Sequence, residues 1–136
     1  MLDPAPCILV ADDEPDVRDL IQEILQDSGF EVVTAGNGQQ AMAHLESRPI
    51  DLLIVDLVMP GQEGLETIRM LRERQPAVKI LAISGSGALY LRVARLMGAQ
   101  KTMQKPFTVD ALLERVTALL DGAGLPVPHG PAPFRR

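Results

Sequence analysis

Four places in the chain set a chemically competent residue directly after a short apolar run. Asp12 and Asp13 follow CILVA (7–11), Asp56 closes DLLIVD (51–56), Ser84 closes VKILAIS (78–84), and Lys105-Pro106 follows KTMQ (101–104). Three carboxylates brought together would repel one another and raise the proton affinity of at least one. A divalent cation relieves that repulsion, and Mg2+ suits it: it takes oxygen ligands, keeps several waters and typically shares one or two carboxylates with a phosphate. Lys105 would then offer a point charge to phosphate oxygens and Ser84 a hydroxyl hydrogen bond. Asp56 fits a nucleophile that takes a phosphoryl group in line.

These residues can meet only if the apolar runs lie side by side. With EVVTA (31–35) the runs make five strands, each followed by a helical pattern. Val17, Leu20, Ile21, Ile24 and Leu25 repeat as the buried stripe of a first helix, which Gly29 stops. Further helices are expected over 38–47, 64–74, about 87–97 and 108–120, the last carrying the stripe Val109, Leu112, Leu113, Val116, Leu119 and Leu120. Asn37-Gly38 is read as a loop from strand to helix, not a hairpin turn. Continuous apolar strands joined by helical crossovers predict an α/β fold with a parallel sheet covered on both faces. In such a sheet the loops at the carboxyl ends of the strands form the ligand crevice.

The bulk composition agrees with one globular core. The chain has 136 residues, 46% of them hydrophobic and 3% aromatic, so Leu, Ile, Val, Ala and Met must fill the interior. A formal net charge of −5 argues against nucleic-acid binding through the domain's own field. Cys7 is the single cysteine and lies in an apolar run, which leaves no disulfide framework and fits a reducing cytoplasm. No run is long enough for a membrane span, and no signal peptide is recognisable at residues 1 to 7. His44 and His129 are expected at the surface. The proline-rich stretch after Asp121 has no periodicity, giving a domain over 1–121 and a tail or linker over 122–136, where Phe134 has only a low expectation of docking.

The stretches ILVADDEPDVRDLI, VTAGNGQQAM, DLLIVDLVMPGQEGLE, ILAIS and MQKPF, in this order, resemble the receiver domain of two-component response regulators over about residues 7–121. The resemblance implies a flavodoxin-like (βα)5 doubly wound sheet of strand order 2-1-3-4-5. It further implies that Asp56 accepts a phosphoryl group from the phosphohistidine of a sensor histidine kinase or phosphotransfer protein. Asp13 is implied as a direct Mg2+ ligand, Asp12 as one acting partly through water, and the Val58 carbonyl as the remaining protein ligand. Ser84 matches the switch hydroxyl, and Lys105 the family's lysine, followed by a Lys-Pro106 bond expected to be cis. A cytoplasmic signalling module is implied, not a metabolic enzyme, with a homodimer through helices four and five as a possibility.

Departures from the pattern shape further expectations. Thr102 stands three residues before Lys105, where relatives usually carry Tyr or Phe, so the aromatic part of the switch is missing. Glycines 85 and 87 in SGSGALY predict a permissive loop and a weakly fixed start to helix four. Val58 and Ser86 offer no obvious catalyst for hydrolysis, which predicts slow self-dephosphorylation. Asp12 or Asp13 could alternatively cap the first helix, and Glu14 is read as only favouring its start. Two competing functions are a phosphate-independent docking module and a Mg2+-dependent phosphohydrolase. Against the hydrolase, Val58 stands where such enzymes typically place a second acid. A nucleotide-binding domain is disfavoured because DDEPD replaces a glycine-rich loop after the first strand.

Overall fold

In the computed structural model the described residues are 5–58 and 63–121. Five strands, β1 (Cys7–Ala11), β2 (Glu31–Ala35), β3 (Leu52–Asp56), β4 (Lys79–Ser84) and β5 (Lys101–Gln104), alternate with five helices. The helices are α1 (Pro15–Asp27), α2 (Gly38–Ser47), α3 (Glu63–Arg74), α4 (Ala88–Met97) and α5 (Val109–Asp121). All strand pairings are parallel, in the order β2-β1-β3-β4-β5. The expected α/β doubly wound, flavodoxin-like arrangement is therefore the observed one.

The continuous apolar runs are explained by burial on both faces. Side chains alternate across a strand, so Ile8 and Val10 of β1 join one core with Ile21 and Leu25 of α1 and Leu112 and Val116 of α5. Leu9 and Ala11 join the other, with Ala41 and Leu45 of α2, Ile68 and Leu71 of α3 and Ala94 of α4. Cys7 is buried at the start of β1, and burial pushes its thiol pKa up, which keeps it unreactive.

Element ends differ from the sequence reading for local reasons. Asp51 lies before β3 and its carboxylate accepts the Cys7 N–H at 2.8 Å, so it ties two strand starts together. Asn37 caps α2 by accepting the Gln40 N–H at 2.8 Å, in keeping with the loop reading of Asn37-Gly38. Thr108 precedes α5, where its hydroxyl accepts the Ala111 N–H. Gly87, at φ 103°, precedes α4 and supplies no side chain to cap it. His44 is not a free surface residue: it is half-buried, with Nε2 3.1 Å from the Thr34 carbonyl oxygen. The stretch 122–136, with His129 and Phe134, lies outside the described residues.

A candidate phosphoryl site at the carboxyl ends of β1, β3 and β5

The strand order reverses between β1 and β3, and the crevice at such a reversal is where open parallel sheets hold ligands. Asp12 is the first residue beyond β1, and its N–H donates to the Ala35 carbonyl at 3.1 Å, extending the pairing with β2. Asp56 is the last residue of β3. Both are buried, at 2% and 4% exposure. Such a position for an ionised carboxylate requires partners.

Each carboxylate divides its oxygens between backbone and lysine. Asp12 Oδ1 accepts the Glu14 N–H at 2.9 Å, and Asp56 Oδ1 accepts the Val58 N–H at 2.9 Å. Their second oxygens both accept from Lys105 Nζ, at 3.1 Å for Asp12 and 2.9 Å for Asp56. Lys105 is delivered by β5, whose pairing extends beyond the strand through its own N–H to the Ser84 carbonyl at 2.9 Å. The Lys105–Pro106 bond is cis, as expected.

A third carboxylate shares the ammonium: Glu14 Oε1 lies 2.9 Å from Lys105 Nζ. Neither Asp12 nor Asp13 caps α1. The N-cap is Glu14, with no side-chain cap bond, and its carboxylate reaches into the site instead. Its role as more than a helix starter was missed because the contact spans 91 residues of sequence. The one available signal was its place beside two acids at a strand end.

Burial raises the Asp12 pKa, and the nearby Asp56 charge adds to it, against the lowering effects of the Glu14 N–H and Lys105. For Lys105, burial works against the charge, but Asp56, Glu14 and Asp12 outweigh it and hold the ammonium well above the ordinary lysine value. One oxygen each from Asp12, Asp13 and Asp56 falls within 4.8 Å of the others. Asp13 has no protein partner among the described residues. Three carboxylates thus share one ammonium with Asp13 close to two of them, and the clustered donors are all oxygens, a set that fits a hard divalent cation such as Mg2+.

The open pocket in front of this cluster has a volume of about 360 Å3 and is lined by Asp13, Glu14, Asp56, Val58, Gly85, Ser86 and Lys105. Ser84, at the end of β4, is fully buried, with its Oγ accepting the Ser86 N–H at 3.0 Å. The hydroxyl proton has no acceptor among the described residues. Thr102 is the outlier: it is half-buried in β5, paired in register with Ala82, and its carbonyl accepts Arg115 Nε at 2.9 Å.

Gly64 is a second residue the motif reading did not single out. A Cβ there would come within 2.7 Å of Leu57 Cα and closer still to the Asp56 carbonyl oxygen, so α3 packs its backbone directly against the end of β3. Backbone atoms cannot yield as a side-chain tip can. Gly64→Ala is therefore expected to cost about 2 kcal/mol of stability, as overpacking typically does. Urea denaturation measures it, and an unchanged midpoint would contradict the close approach.

The family described as "Response regulator receiver domain" matches residues 8–117. The alkaline phosphatase synthesis transcriptional regulatory protein PhoP of Bacillus subtilis is 33% identical over 122 residues, covering 89% of this chain and 51% of PhoP. Response regulator protein TrrA of Thermotoga maritima, crystallised in complex with Mg2+-BeF, is 36% identical, with a TM-score of 0.78 over 85% of this chain and 99% of TrrA. A CheY-like receiver domain protein of Methanospirillum hungatei is 26% identical, with a TM-score of 0.84 over 88% of this chain and 97% of its own. The chain spans from about a quarter to about half the length of curated relatives such as NtrX and PhoP. With the match running from β1 into α5, the chain belongs to the response regulator receiver domain family of two-component signalling.

Proposed function

We propose that Asp56 is the phosphoacceptor of this receiver, taking its phosphoryl group from the phosphohistidine of a sensor histidine kinase or phosphotransfer protein. The observation that carries this reading is the convergence of Asp12, Asp56 and Lys105 through hydrogen bonds of 2.9 to 3.1 Å. A carboxylate oxygen of Asp56 forms the bond to phosphorus as the phosphorus–nitrogen bond breaks and its electron pair leaves with the imidazole nitrogen. The Val58 N–H holds one Asp56 oxygen in place, and so orients the other toward the pocket. Lys105 and the unused proton of Ser84 take the phosphoryl oxygens. Asp13, Asp56, the Val58 carbonyl and, partly through water, Asp12 would hold Mg2+, which when bound would neutralise charge on those oxygens.

The domain unit in this reading is 1–121, followed by the tail or linker 122–136, and its setting is the cytoplasm. Among the described residues no helix is long and apolar enough to cross a membrane. The output is a surface change passed to a protein partner, with nucleic acid left to other modules. Exposed Leu89 and Leu96 on α4 and Val109 on α5 support a homodimer face there. Thr102 favours a second reading, a phosphate-independent docking module, because no ring stands at that place in β5 to couple site and surface. The intact acid and lysine set weighs against it.

Acetyl phosphate with Mg2+ is expected to add one phosphoryl group to the protein, and chelation of the metal to prevent it. Intact-protein mass reads the result. Labelling that is the same with and without Mg2+ would contradict the proposal.

A further inference from the structure

Lys105 Nζ has three protons, and three carboxylates accept them: Asp12 at 3.1 Å, Glu14 at 2.9 Å and Asp56 at 2.9 Å. No donor is left over in this resting arrangement. Bond formation to phosphorus takes the charge from the Asp56 oxygen that Lys105 holds and so frees one donor, and a second reaches the phosphoryl oxygens only if another bond opens. The three acceptors are not equivalent. The side chains of Asp12 and Asp56 are 2% and 5% exposed and grow from strand ends, whereas that of Glu14 is 61% exposed. Returning the Glu14 carboxylate to water costs little, while uncovering buried Asp12 leaves a charge unpaired, so the Glu14 bond is the one to open.

We infer that Glu14 is a positioning residue that holds the third donor of Lys105 in the resting site and releases it when an anionic phosphoryl group arrives on Asp56. The tether is short and its base is fixed. Asp12 Oδ1 accepts the Glu14 N–H at 2.9 Å, so the side chain starts from a pinned backbone. For the tether to act in this way, a side chain one methylene shorter must fall short of Nζ, which Glu14→Asp tests. Glu14 also lines the pocket with Asp56 and Lys105, which puts the released carboxylate in solvent at the mouth. This inference deepens the phosphoacceptor reading and rests on it: the carboxylate competes with phosphate for one ammonium proton, setting how readily the site fills.

Calorimetric titration of the protein in Mg2+ with beryllofluoride, a mimic of the phosphoryl group, separates the two ideas. Wild type binding none of it overturns the phosphoacceptor reading, and this inference with it. If wild type binds, Glu14→Gln and Glu14→Asp are both expected to bind roughly two- to fivefold more tightly, the worth of one exposed charge pair. Asp16→Asn, a charge change on α1 outside the pocket, is expected to match wild type. Glu14→Asp behaving as wild type, with Glu14→Gln and Asp16→Asn shifted equally, would reduce the effect to net charge and overturn the tether. Affinities unchanged across all three variants would overturn it as well.

Discussion

Lys105→Ala is expected to slow phosphoryl uptake from acetyl phosphate on the order of a hundredfold, the usual loss when one preorganised donor is removed from a developing anionic centre. The same change leaves Asp12 and Asp56 facing each other without the ammonium that both now share. Breaking a buried pair from one side ordinarily costs about 3–5 kcal/mol, and the open mouth of this pocket brings the expected loss of metal-free stability to about 2 kcal/mol. The pH dependence follows from the direction of the lysine shift. Its folded pKa lies above the unfolded value of about 10.4. Its stabilisation is therefore complete below that unfolded value and fades only as pH rises through the folded one, in strongly alkaline solution. Wild type and Lys105→Ala should differ by a near-constant amount between pH 6 and pH 9, about the span over which both states keep the lysine charged. A difference that vanished at neutral pH would show that Lys105 is not the counter-ion of this cluster.

Asp12→Asn is expected to act in the opposite direction on stability and to destroy the response to metal. The folded pKa of Asp12 is raised, chiefly by burial and then by the neighbouring Asp56 charge. A raised carboxylate contributes stability below the unfolded value of about 3.9 and loses it as pH rises through the folded one. At neutral pH the ionised form is thus a burden on the metal-free fold. An asparagine can still accept the Glu14 N–H through its side-chain oxygen while removing the charge. Without metal at pH 7 the variant should melt a few degrees higher than wild type, given that about 1 kcal/mol moves a domain of this size by ~4 °C. The gain should shrink as pH falls toward 4, where wild-type Asp12 takes up its proton. Added Mg2+ should raise the wild-type melting temperature and leave that of Asp12→Asn nearly unmoved. A variant less stable than wild type without metal would mean that the Lys105 pairing outweighs the burial of Asp12.

Burial on both faces is why the strands could be read from their continuous apolar runs. Ile8 and Val10 face one core while Leu9 and Ala11 face the other, so β1 has no polar alternation to confuse with a half-exposed strand. The stripe through Ile21 and Leu25 declares α1 in the same way. The strand order came from resemblance, since parallel crossovers of similar length permit several orders. What remained illegible depends on contacts between distant segments. Asp51 reads as part of a strand until its carboxylate is seen to accept the Cys7 N–H. Arg72 carries no motif, yet its guanidinium donates to the Pro76 and Val78 carbonyls and so fastens α3 to the start of β4.

Within the site, the strand-end aspartates and Lys105 could be anticipated because each terminates an apolar run, and parallel strands bring such ends to one edge. Ser84 could be anticipated in the same way; it closes β4 fully buried, with its Oγ accepting the Ser86 N–H. Glu14 and Gly64 were illegible for a shared reason. One acts through a lysine that the chain supplies 91 residues later, the other by having no side chain where α3 meets β3.

The most direct test of the account is the intact mass of wild type and Asp56→Asn after identical exposure to a phosphorylated histidine kinase or acetyl phosphate with Mg2+. Wild type should gain one phosphoryl group and the variant none, with both still folded. Equal labelling of the two proteins would contradict it.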